Sequence, residues 1–225
     1  MEYLGQLAPI AILLTAIALV LSRLPRVELG HSQAFLRRRA RNWLPVGLLY
    51  AFLYMGRYNL TVSKDAFGDL MTNNDFGTIF GVGTAVYGSA FLLNGPLTDR
   101  WGGKKALLVG AAGAVVANVA MGYVTYAQQA GEWERDLVST FSLLYGLNMY
   151  FQSFGAVAIV KINAPWFHVR ERGVFGAIFG ILISLGVYFA YDWGSAIVDN
   201  FETQWVFWAP AGLLTFLWCF VLVGV

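Results

Sequence analysis

The stretch Gly95-Pro96-Leu97-Thr98-Asp99-Arg100-Trp101-Gly102-Gly103-Lys104-Lys105 joins two long apolar runs, Phe76 to Leu97 before it and Ala106 to Ala127 after it. Each run is long enough to cross a bilayer, which takes about 20 helical residues. The bridge between them is short and carries Arg100, Lys104 and Lys105. Its glycines permit a tight turn between helices whose ends nearly touch. The pattern predicts a transmembrane helical hairpin with its turn on the side where Lys and Arg collect.

Working outward, the same reading finds five more spans: Leu4 to Leu21, Leu44 to Val62, Leu137 to Phe167, Val174 to Ile197 and Val206 to Val225. The expected fold is therefore an all-α membrane protein with seven transmembrane helices. Composition agrees, since only 12% of residues are charged and 58% are hydrophobic, against about a quarter charged in soluble domains. So much apolar surface has to face lipid. The first span lacks a basic leading region and an Ala-x-Ala cleavage site, and is read as a retained helix equivalent to a signal-anchor.

The cations are strongly segregated. Arg23, Arg26, Arg37, Arg38, Arg39, Arg41, Arg100, Lys104, Lys105, Arg170 and Arg172 fall on one side of the seven-span layout, and only Lys64 and Arg135 on the other. The positive-inside rule then sets the N-terminus outside and the C-terminus in the cytoplasm. Three regions follow: an extra helix at 1–22, a basic cytoplasmic linker at 23–42, and a six-helix bundle at 43–225. The linker, with Arg37-Arg38-Arg39-Ala40-Arg41, is expected to anchor on anionic lipid, with Phe35 and Leu36 on an apolar side. Beside a membrane span this reading excludes nucleic acid.

Arg57 lies inside the second span, where an ionisable group is expensive and normally faces a cavity or partner. Tyr50, Tyr54 and Arg57 fall at i, i+4 and i+7, hence on one helical face. A guanidinium presents a planar donor fork that grips two oxygens of a phosphate or carboxylate at once. The other role open to it is that of a structural cation held by carbonyls and tyrosines. Asn148 and Gln152, one turn apart, either bond between helices or line a cavity. Lys161 is expected to snorkel to the interface. Gly77 with Gly81, and Gly176 with Gly180, have the small-xxx-small spacing of close helix contacts. Cys219 excludes an internal disulfide and reads as a small buried or lipid-facing residue. Two histidines in polar segments supply no metal cluster, no cofactor motif is present, and no catalytic constellation argues for an enzyme.

The Gly95-to-Lys105 stretch resembles the loop signature of the major facilitator superfamily (MFS), with Gly95, Asp99, Arg100, Gly102, Gly103 and Lys104 at its characteristic positions. Residues Asn42 to Val225 look like the N-terminal six-helix half of such a protein. Tyr54-Met55-Gly56-Arg57-Tyr58-Asn59, together with Trp166-Phe167-His168-Val169-Arg170-Glu171-Arg172-Gly173, is similar to the organophosphate:phosphate antiporters of that superfamily. The resemblance implies a phosphate-binding role for Arg57, a state-dependent contact made by the loop, and a gate-stabilising charge cluster at Arg170, Glu171 and Arg172. It departs where the group has a second-helix lysine and a fifth-helix histidine, here Phe91 and about Ile183.

The implied function is half of a secondary transporter for a small anionic solute, an organophosphate exchanged for phosphate, working by alternating access. Arg57 would anchor the solute, with Tyr50, Tyr54, Tyr87 and Gln152 as further contacts. The remaining half is expected from a second chain, from the rest of the same polypeptide, or as a larger membrane complex covering that face. The alternative is a non-transporting, MFS-derived structural or accessory subunit. The expected location is the bacterial inner membrane.

Overall fold

The computed structural model describes residues 29–225 together with Thr15, Ala18, Leu19 and Ser22. The extra helix expected over residues 1–22 therefore lies, apart from those four positions, outside the described residues, as does the first part of the linker. The described chain is helical almost throughout and contains no strand. Its elements are α1 (Gln33–Phe67), α2 (Asn73–Trp101), α3 (Gly103–Gln129), α4 (Leu137–Gln152), α5 (Phe154–Asn163), α6 (Arg172–Tyr188), α7 (Gly194–Asn200) and α8 (Trp205–Gly224). Short 3₁₀ turns follow α1 and α5, and a π turn, Phe189–Trp193, joins α6 to α7.

Helix α1 is longer than the span expected from apolarity. Ser32 caps it by accepting the Phe35 amide at 3.2 Å, and the helix then runs through the arginine cluster without interruption. The basic residues are thus its first turns, continuous with the span. At the far end Gly68, at φ 51°, closes it in a conformation that only glycine adopts without strain. Thr72 and Asp75 form a reciprocal capping box that starts α2. Asp136 caps α4 by accepting the Ser139 amide at 2.7 Å, and the Ser139 hydroxyl together with that amide holds its carboxyl below the usual range.

Among the described residues five stretches, α2, α3, α4–α5, α6–α7 and α8, are long and apolar enough to cross a membrane. Helix α1 is long enough but less apolar, because Arg57, Asn59 and its tyrosines dilute the span. Its burial explains that composition. α1 packs on both α6 and α8, and most of its central residues are inaccessible. The expected fifth span is one stretch broken at Ser153. Asn94 of α2 covers the break, donating to Ser153 Oγ at 2.7 Å and to the Tyr150 carbonyl at 3.2 Å.

The signature turn is tighter than the sequence stretch suggests. Gly95, Asp99 and Arg100 belong to α2, and the turn itself is Gly102 at φ 83°. Gly103 follows because a Cβ there would lie 2.8 Å from the Ala158 carbonyl of α5. Asp99 accepts from Lys161 at 2.6 Å. Lys161 is therefore ion-paired to the signature and not simply snorkelling. Lys104 donates to the carbonyls of Leu222 and Val225 at 3.0 and 2.7 Å.

The helix contacts also correct the glycine reading. A Cβ at Gly77, Gly81, Gly176 or Gly180 would meet nothing within 4 Å. The close approaches occur elsewhere, at Gly110 and Gly113 against Phe151 and at Gly122 against Trp208. Gly110, Gly113 and Gly122 do not share the four-residue spacing of the first group, yet they are the ones that face another helix of the described chain. Cys219 is exposed on α8, the lipid-facing choice.

Candidate functional site

Two apolar cores form in the bundle. One gathers Leu49, Leu53, Leu107, Phe154, Leu182 and Leu214, and the other Leu60, Met121, Phe141, Tyr145 and Phe207. Between them α1, α3 and α4 place a band of polar side chains that apolar packing alone would not tolerate. Asn59, Asn118, Asn148 and Gln152 are all essentially inaccessible.

They satisfy one another. Asn59 donates to Asn118 Oδ1, and Asn118 donates to Asn148 Oδ1 at 3.3 Å. Gln152 donates to the same Asn148 oxygen at 3.0 Å, and Asn148 donates to the Gly56 carbonyl at 2.9 Å. The ladder ends on Arg57, whose Nε donates to Gln152 Oε1 at 3.0 Å. Gly56 makes this approach feasible, since a Cβ there would sit 3.3 Å from Asn118 Nδ2. Tyr145 adds a bond from its hydroxyl to the Arg57 carbonyl at 3.3 Å.

The ladder fixes the guanidinium without neutralising it. Its Cζ lies 4.7 Å from the Tyr54 ring and 4.6 Å from the Tyr87 ring, a cation–π pair from two helices. No ion pair among the described residues involves Arg57. Its Nη2 is buried with no hydrogen-bond partner, in a region where an unsatisfied donor is costly. The result is a cation held by its Nε and between two ring faces, with one buried donor left without a partner.

The residues expected around Arg57 divide into two groups. Tyr54 and Tyr87 touch the guanidinium directly. Tyr50 is 5% exposed, lies in the core against Gly155, and makes an edge-on contact with Tyr54 at 5.2 Å. Gln152 is inaccessible and has both ends of its amide engaged, so it positions Arg57 and presents nothing outward. Two tyrosines extend the aromatic lining beyond the sequence expectation. Tyr58 lies 6.2 Å from Tyr54 and 5.8 Å from Tyr191, which the π turn brings into place. Asn59 and Asn118 were also missed, although an asparagine inside an apolar span is itself a signal.

At one end of the bundle the charges form a second constellation. Arg39 Nη1 binds Glu171 Oε1 at 2.8 Å, and its Cζ lies 4.7 Å from the Phe167 ring. Glu171 is 7% exposed and also accepts the His168 amide at 3.0 Å. His31 Nε2 stands 3.8 Å from the same carboxylate. Arg170 and Arg172 are exposed and make no ion pair among the described residues, so of the expected gate cluster only Glu171 turns inward. Arg39, expected on lipid, is its partner.

The sequence profile of the Major Facilitator Superfamily matches residues 46–225, which include Arg57, the polar ladder and the signature turn. The chain is 24% identical over 155 residues to Membrane sensor protein UhpC of Salmonella typhimurium, covering 66% of this chain and 33% of that protein. The Escherichia coli protein of the same name is 23% identical with the same coverage. The Ectoine/proline transporter ProP of Corynebacterium glutamicum is 29% identical over 130 residues, 56% of this chain and 24% of that protein. No solved structure matches. The chain spans about a third of the length of the first of these relatives. With a profile covering most of the described helices and the signature turn folded as a helical hairpin, this integral membrane chain belongs to the Major Facilitator Superfamily.

Proposed function

We propose that the chain forms half of a membrane transporter for a small anionic solute, with Arg57 as its anchor. The observation that carries this reading is the buried, unpartnered Nη2 of Arg57. A structural cation would be expected to have all its buried donors satisfied, and this one has Nε bonded and Nη2 without a partner. Tyr54 and Tyr87 flank the guanidinium, and the ladder through Gln152 holds its Nε. An organophosphate or phosphate suits a bidentate guanidinium. Phe91 and Ile183, where the resemblance leads one to expect lysine and histidine, make Arg57 the principal cation of this half's site.

The second half, on the same polypeptide or another, would cover the faces of α2 and α6–α7. Only 17% and 22% of their apolar stretches are buried, against 56% for α3 and for α4–α5. Gly77, Gly81, Gly176 and Gly180 present small, unoccupied surface on those faces. Alternating access would then follow from rocking of the two halves about the Arg57 level.

A second reading is solute sensing without transport, favoured by the names of two relatives, which are membrane sensor proteins. A non-transporting accessory subunit belongs to the same class. Exchange of labelled phosphate across vesicles containing the protein in its native complex separates the readings. Saturable exchange supports transport. Binding with no exchange supports the sensor, and neither one supports the accessory subunit.

A further inference from the structure

Three cations of α1 take no part in the arrangements above. Arg37, Arg38 and Arg41 are exposed and make no hydrogen bond or ion pair among the described residues, whereas Arg39 between them is committed to Glu171. They line a cleft of about 450 Å³ together with Asn42 and Trp166, at the end of α8. Asn42 is only 8% exposed, yet its Nδ2 donor has no partner. This buried amide donor stands beside three guanidinium groups that are unpaired among the described residues.

The cleft continues into a second space of about 430 Å³ between α1 and α8, and the two share Arg41 and Gly224. The character changes abruptly there. Leu44 and Leu48 on α1 and Phe216 and Phe220 on α8 form the walls, and Leu44, Phe216 and Phe220 are 45%, 70% and 55% exposed. From Arg37 to Leu48 the helix advances roughly 16 Å, about the depth of one leaflet's hydrocarbon. We infer that this bipartite cleft is a site for one anionic phospholipid. The headgroup phosphate lies among Arg37, Arg38, Arg41 and Asn42, and an acyl chain follows the groove between α1 and α8.

The two halves of the cleft select this occupant together. A free anion would satisfy the arginines and leave the apolar groove uncovered. A zwitterionic lipid would fill the groove without balancing three cations. An anionic lipid does both, and the Lys and Arg bias assigns this end to the leaflet where such lipids attract basic segments.

The test is native mass spectrometry of the full chain released from mixed micelles of phosphatidylglycerol and phosphatidylcholine. One phosphatidylglycerol should be retained selectively. Replacing Arg37→Gln, Arg38→Gln and Arg41→Gln together should weaken retention about 100-fold. Leu44→Trp, which obstructs the groove and leaves every cation in place, should also displace the lipid, with size-exclusion profiles reporting that each variant is folded. Arg57→Ala should retain it unchanged, which separates this site from the solute site. Equal retention by the triple variant, or displacement by glycerol phosphate as effective as by the intact lipid, would overturn the assignment.

Discussion

Arg57 on α1 and Gln152 on α4, 95 positions apart, share a 3.0 Å hydrogen bond that connects a membrane-buried cation to a ladder of amides. Gln152 is neutral, so it holds the guanidinium without cancelling its charge. Replacing Gln152→Glu would place a carboxylate on Nε and quench the cation in a low-dielectric setting. We expect a folded protein with anion binding lost and an unfolding temperature no higher than the parent's, because the second carboxylate oxygen replaces the donor to Asn148 Oδ1. Scanning fluorimetry with and without ligand reads both effects.

The ladder is also structural. Asn118→Leu removes the acceptor of Asn59 Nδ2 and one of the two donors to Asn148 Oδ1, which keeps Gln152, so one buried amide donor is left without a partner. That loss costs about 1–3 kcal/mol, so unfolding in detergent should shift to lower denaturant. Little change would mean that water or rearrangement replaces the missing amide.

Two glycines of the signature should respond in opposite ways. Gly103→Ala pushes a Cβ to 2.8 Å from the Ala158 carbonyl, and should destabilise by about 1–3 kcal/mol as an overpacked contact. Gly95 lies inside α2 with open space around it. Gly95→Ala should be neutral or stabilising by up to about 1 kcal/mol in the described chain. Paired thermal melts of the two variants provide the check.

Among the α1 arginines, stability should depend on one position. Arg39→Ala leaves Glu171 buried without its cation, a change of about 3 kcal/mol or more for a buried pair. Arg37→Ala, at an exposed and unpaired position, should stay within about 0.5 kcal/mol. If both variants melt alike, the Arg39–Glu171 pair does not tie α1 to the turn before α6.

Much of this architecture was legible in the sequence because lipid imposes long apolar runs and a one-sided distribution of cations. Arg57 stood out for the same reason, as a charge where apolarity is required. The ladder was not legible, because nothing in one span tells whether its asparagine meets another helix. Asn59, Asn118 and Asn148 become partners only through the register of three helices. Similarly, Arg39 and Glu171 are 132 positions apart and sat in two segments read separately. The spacing of Gly77 and Gly81 matched a packing motif, but spacing gives a face and not the neighbour opposite it. The break at Ser153 is met by Asn94 from another helix, a contact that the span's own residues do not reveal.

The account rests on Arg57 as an anion anchor, and the most direct measurement is equilibrium binding of a phosphate monoester to the complete protein and its Arg57 variants. Arg57→Lys keeps the charge but loses the planar fork, and should weaken binding by about 10-fold or more. Arg57→Ala should abolish it, with the fold intact by size-exclusion and melting temperature. An Arg57→Ala protein that binds the ester as tightly as the parent would contradict the account and leave Arg57 a structural cation held by Gln152, Tyr54 and Tyr87.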